Sequence, residues 1–311
     1  MILGDPKYRI CSTGRSDKKV IFFSDWDVLW PPEETFLGKP IYFQSPRTAG
    51  LSFAVKRLID GEYVDLLKMS PQSAYVSDLA LKVICDNLYP GLLQDNSSTP
   101  LHTLCLVPTS SIVQTISSTE ALNEVVGMAK DPGTILSKLG QFLPGACILG
   151  VVGVHALNPE YDGTELDVVV LADNLKELLK AREYISNLLC PVESPYIQTL
   201  WPLCSRTRDF GSIDWFFCTI DVPSSLHEAL AKAVIKDWHH EFQGVVEDDV
   251  QSILSTPVWK LNPERYLVTV DGALRGRFTA GDRLAGVGLL VELKQGIEAI
   301  VVQSDGNIGR Y

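Results

Sequence analysis

The stretch CILGVVGVHALNPEYDGTELDVVV, Cys147 to Val170, decides how the whole chain is read. Its ends are apolar and its middle is polar and glycine-bearing. Ile148 to Val152 reads as a buried strand or the end of a helix. Gly153 follows, then a connection of roughly ten residues that holds Asn158, Pro159 and Gly163. Glu165 to Leu171 reads as a strand, with Glu165 and Asp167 alternating with Leu166 and Val168. Successive strand side chains point to opposite faces, so the two acids share one face and the apolar residues take the other. Like charges this close repel unless a cation sits between them. A hard divalent metal is the usual cation for paired carboxylates.

A glycine turn, a short gap and then acid–apolar–acid–apolar in a strand resembles the signature of the nucleotidyltransferase superfamily that includes DNA polymerase beta. More closely, the chain is similar to a group of archaeal nucleotidyltransferase-domain proteins. Their motif runs roughly G-V-T-G-S, then L-H-N-P, then S-D-I-D-L-V-V. Here the equivalents are Gly150-Val151-Val152-Gly153-Val154, then Leu157-Asn158-Pro159, then Thr164-Glu165-Leu166-Asp167-Val168-Val169-Val170. The resemblance extends over the last two thirds of the chain and is much weaker before about residue 100.

The resemblance implies an α+β fold with a nucleotidyltransferase-like mixed sheet and helices. It implies transfer of a nucleotidyl group from a nucleoside triphosphate to an acceptor by a two-metal mechanism with Mg²⁺ or Mn²⁺. Glu165 and Asp167 would hold the ions. Asp214, at the start of the apolar strand Gly211 to Ile220, would be the third carboxylate, or else an ordinary strand-end aspartate. The backbone at Gly153 and Val154 would face the triphosphate, with His155 beside it. Lys176, Arg182, Arg206 and Arg208 are candidates for phosphate contact, and equally for a solvated surface. Two positions depart from the family pattern. Val154 stands where the family has serine, and Glu165 where it has aspartate, which shifts that carboxylate against a metal that demands near-ideal geometry. A second reading follows from both: a catalytically decayed scaffold that binds nucleotide or nucleic acid without turnover.

The chain has 311 residues, enough for two or three domains. A net charge of −11 disfavours a large nonspecific surface for phosphates, because such binding rests on Lys and Arg. No apolar run reaches the length of a membrane span, and Met1 is not followed by a basic-then-apolar leader. A cytoplasmic protein with no membrane contact is expected. The seven cysteines form no Cys-x-x-Cys pair, so they read as core residues rather than a zinc site.

Three regions follow from the pattern. Residues 1–99 read as a β-rich region with one helix after Ser70-Pro71, and Gly91 to Pro100 is the linker candidate. Asp25 and Asp27 repeat the acid–apolar–acid pattern there, without a glycine turn before them. Residues 100–255 read as the nucleotidyltransferase-like domain. Its helices are expected at Ser118 to Lys130, with Ser118 or Thr119 as cap, at Asn174 to Leu189, and at Ser224 to Trp238. Residues 256–311 read as a small β-barrel of OB or SH3 type, with strands at Tyr266–Val270, Ala273–Phe278, Arg283–Leu293 and Glu298–Gln303. Arg275, Arg277 and Arg283 cluster around Phe278, the kind of group that contacts RNA or DNA on such barrels. A barrel that only packs against its neighbour is the other reading.

Overall fold

The computed structural model describes 12–16, 21–24, 35–44, 51–53, 56–59 and 62–65. From 82 onward it describes the chain apart from 128–135, 160–164, 192–202, 207–210, 220–228 and shorter breaks. The first sheet joins β1 (Ser12–Ser16), β2 (Ile21–Ser24), β3 (Thr35–Gln44) and β4 (Leu51–Phe53). A separate antiparallel pair follows, β5 (Lys56–Ile59) with β6 (Glu62–Asp65). β7 (Cys105–Pro108) pairs with β3, and β8 (Ile112–Ser117) with β1. The early strands therefore close onto the segment that leads into the motif. Asp25 and Asp27 lie outside the described residues.

The motif builds a second, five-stranded mixed sheet. Its members are β9 (Cys147–Val152), β10 (Glu165–Ala172), β11 (Cys190–Pro191), β12 (Cys204–Arg206) and β13 (Ser212–Thr219), in the order β11-β12-β13-β10-β9. Only β10 and β13 run parallel. The β-branched run Val168–Val170 suits a strand buried on both faces. Leu166, Val168, Val170, Trp215 and Phe217 face two helices, Ser118–Gly127 and Leu175–Leu188, which contribute Ala121, Val125, Leu178, Ala181 and Ile185. Trp215 is 1 % exposed and its Nε1 donates to Ser205 Oγ at 3.2 Å, so burial leaves no donor unmet. Asn174 caps the second helix by accepting from the Glu177 amide at 3.1 Å.

The third sheet is a closed five-stranded barrel. Its strands are β14 (Val234–Asp248), β15 (Val258–Asn262), β16 (Arg265–Thr269), β17 (Arg283–Glu292) and β18 (Glu298–Val302). The ring runs β14-β15-β16-β18-β17 and back to β14, with β19 (Ile308–Arg310) added on β17. The β16–β18 pair is parallel and the others antiparallel. Closure removes the sheet's free edges. Trp259 and Phe278 meet edge-on at 5.6 Å inside, and Trp259 Nε1 donates to the Phe278 carbonyl at 3.0 Å.

Several expectations are corrected here. Residues 234–238 are strand rather than helix. Phe242, Gly244 and Val246 are buried with exposed residues between them, so the segment follows the period of a strand. The barrel therefore begins at Val234, before residue 256. Of the strand expected over 273–278, the described residues 274–278 are not strand: Leu274 to Gly276 turn helically, and the Gly276 amide bonds to the Ser252 carbonyl at 2.8 Å. The Gly91–Pro100 linker is packed, not free. Asn96 is buried there and donates to the carbonyls of Leu101 and Leu104, while Gln303 of the barrel donates to the Pro100 carbonyl at 2.6 Å. The first helix is capped by Ser117, not Ser118 or Thr119. Among the described residues, no helix is long and apolar enough to cross a membrane.

Candidate functional site

The site grows from the alternation in β10. Val168 faces the helices, so Asp167 faces the other side of the sheet, where Val152, Val169, Leu171, Phe216 and Cys218 form a smaller apolar cluster. The parallel register sets Asp167 beside Asp214, and Glu165 beside Ser212. The strand pairing thus brings together two of the three acids that the sequence nominates. The side chain of Glu165 lies outside the described residues.

Gly153 ends β9 with a φ of +74°, a backbone state that residues with a side chain rarely adopt. A β-carbon there would overlap Asp167 Oδ2 outright and stand 3.2 Å from its Cγ. The glycine is required both by the turn and by the acid lying against it. Its amide donates to the Thr13 hydroxyl at 3.2 Å, and Thr13 is fully buried in β1. That amide is thus engaged by the first sheet and not offered to a phosphate. Val154 opens the short helix Val154–Leu157, with its side chain outside the described residues. His155 is buried at 4 % exposure, inside the fold rather than above the turn.

Asp214 is bound to a cation from the barrel. Arg275 Nη2 donates to both of its carboxylate oxygens, at 3.0 and 2.9 Å. The Arg275 side chain is 5 % exposed and that of Asp214 16 %. The guanidinium also lies 3.8 Å from the centre of the Phe216 ring, on the acid-bearing face. Its Nε and Nη1 are buried and have no acceptor among the described residues. Arg275 is therefore buried between the barrel and the second sheet, not displayed on the barrel's outer surface. It is the tie between the barrel and the second sheet. Of the other two arginines in that cluster, Arg277 is half-buried near Phe278 and Arg283 is exposed on β17.

Of the remaining candidates, Lys176 and Arg182 do not converge on the acids. Lys176 is exposed and Arg182 half-buried on the helix Leu175–Leu188, which covers the Val168 side of the sheet, away from Asp167. Arg206 pairs with Ser212 through its backbone, its side chain lying outside the described residues, as does all of Arg208. Among the described residues, no three His, Cys, Asp or Glu side chains stand close enough to hold a metal ion. With Asp214 taken up by Arg275, the described donor set does not fit a two-metal centre. Thr13 was missed by sequence reasoning, and nothing local could have found it, because it meets Gly153 across 140 positions.

No protein-family model matches the chain, and neither a curated protein nor a solved structure matches it.

Proposed function

We propose that the chain binds a nucleotide, or a nucleotide unit of a nucleic acid, on a nucleotidyltransferase-like sheet without turning it over. One observation carries this reading: Arg275 sits on Asp214. Two-metal transfer needs carboxylates free to bridge two ions. Here the charge that balances Asp214 is a fixed guanidinium. A buried arginine with donors to spare suits an oxyanion, because guanidinium and phosphate bond in matched, charge-assisted pairs. Val154 and Glu165 point the same way, since both depart from the family pattern at the positions that would serve phosphate and metal. The barrel's ring order is that of a Greek-key OB barrel, a fold that takes oligonucleotides or oligosaccharides.

The second reading is a Mg²⁺- or Mn²⁺-dependent nucleotidyltransferase. The register that sets Asp167 beside Asp214 favours it. Calorimetric titration with each of the four ribonucleoside triphosphates separates the two, run with Mg²⁺, with Mn²⁺ and with EDTA. Under our reading binding persists in EDTA and is lost in Arg275→Gln. Binding that requires a divalent ion, with labelled nucleotide passing to an acceptor, would establish the transferase instead. No binding under any condition would remove both.

A further inference from the structure

The longest strand of the barrel carries a bulge with a consequence of its own. β14 pairs with β17 at Asp237↔Leu290 and again at His240↔Gly288. Trp238 and His239 therefore stand opposite the single residue Leu289. Such a bulge bends the strand and re-aims the side chains that it carries. Trp238 is left 51 % exposed. It tilts toward His102, with ring centres 5.8 Å apart at 57°. His102 comes from the packed segment just before β7, so the two rings are brought together by the docking of that segment on the barrel.

These rings form one wall of a groove of about 820 Å³, within the range of small-molecule sites. The neighbouring strand β17 lines it with Ala285, Val287 and Leu289 and with Gly286 and Gly288; a β-carbon at Gly286 would strike the Asn307 carbonyl and one at Gly288 would strike Ile300 of the barrel core. Among the described residues, no Asp, Glu, Lys or Arg lines the groove. The Gln303 amide is already used at both ends, by Thr103 and by the Pro100 carbonyl. His102 is different. Its Nδ1 faces the Thr99 carbonyl at 3.1 Å and so carries the proton, which leaves Nε2 as an acceptor. Burial holds its pKa below the usual histidine value, so the ring is neutral at pH 7.

We propose that this groove binds a nucleobase, stacked on Trp238 with one of its N–H groups donated to His102 Nε2. The ligand is uncharged where it is held, since the described lining offers no Asp, Glu, Lys or Arg as counter-ion. It is planar, since two tilted aromatic rings reward a flat π-face. The site is separate from Asp167 and Asp214, and it stands or falls independently of the reading given to them. The base could belong to a free nucleoside or to a single strand.

Calorimetric titration of the full chain with adenosine, guanosine, cytidine and uridine tests it, beside a neutral methyl glucoside and short single strands at low and high salt. At least one nucleoside should bind, with little dependence on salt. Trp238→Ala should weaken that binding by roughly 5- to 150-fold, while Trp238→Phe keeps most of it. His102→Phe keeps a ring but loses the acceptor, so it should narrow the differences between bases. A strand that binds no better than its nucleoside makes the free nucleoside the ligand. A strand that binds more tightly, with steep loss in salt, makes it the base of a strand. Both results uphold a stacked base. Binding of the glucoside alone, no nucleoside binding, or nucleoside binding indifferent to Trp238→Ala would overturn the proposal. Trp238 is half-exposed, so its truncation leaves the barrel core intact, and an unchanged far-ultraviolet circular dichroism spectrum and melting temperature check this.

Discussion

Asp167 Oδ2 occupies the space that a β-carbon on Gly153 would need. The turn and the acid that follows it in the sequence motif are thus one packed unit. Gly153→Ala should lower stability by about 2–4 kcal/mol, from the left-handed backbone and from the overlap together. The same substitution in an Asp167→Ala background should cost only the backbone part, about 1–2 kcal/mol. Urea unfolding of the four proteins measures the difference, and equal costs in both backgrounds would refute the packing argument.

The Arg275–Asp214 pair makes a second case for non-additivity. Removing one partner leaves the other charge buried, so Arg275→Met alone should destabilise by about 2–4 kcal/mol. Adding Asp214→Asn should recover much of that loss, because no charge then remains to be desolvated. A double-mutant cycle reads the coupling. Coupling near zero would mean that the ion pair is not what ties the barrel to the second sheet.

Ser117 and Glu120 form a reciprocal cap. The Ser117 amide and hydroxyl donate to Glu120 Oε2 at 3.0 and 2.8 Å, and the Glu120 amide donates back to Ser117 Oγ at 3.4 Å. Ser117→Ala should cost about 1 kcal/mol and Ser117→Thr, which keeps the hydroxyl, much less. Thermal unfolding distinguishes them. A loss on Thr119→Ala with none on Ser117→Ala would place the cap elsewhere.

Asp282 gives a pH signature. Partial burial pushes its carboxyl up, but hydrogen bonds from Arg310 at 2.9 Å and from the Thr279 amide at 2.8 Å outweigh it and hold its pKa below the ordinary 3.8. A folded-state pKa that is depressed stabilises the fold above the unfolded value and loses this as pH falls through the folded one. Asp282→Asn should therefore be less stable than the parent at pH 7, by under about 1 kcal/mol for a group this exposed. The gap should shrink below about pH 4. A gap constant down to low pH would show that the carboxylate charge plays no part.

Much of the architecture was legible because it is written locally. β10, β13 and the helix Leu175–Leu188 stand close to where alternation and helical recurrence put them. The glycine turn at Gly153 stands where the spacing put it. The barrel was legible as a run of short strands between turn signals. Its first strand was not: Val234 to His239 has almost no buried positions, so no period of two marks it, and a capping serine upstream made a helix the simpler reading.

The sequence by itself determined the segments with a clear period, β10, β13 and the helix Leu175–Leu188 among them, and where the acids fall, since periodicity and turn chemistry act over a few residues. Only the tertiary structure decided what the acids meet. Arg275 reaches Asp214 across 61 positions, Thr13 reaches Gly153 across 140, and Trp238 meets His102 from the segment that follows the linker candidate 91–100. Such contacts leave no local trace, because they are set by strand register and by how one sheet packs on another.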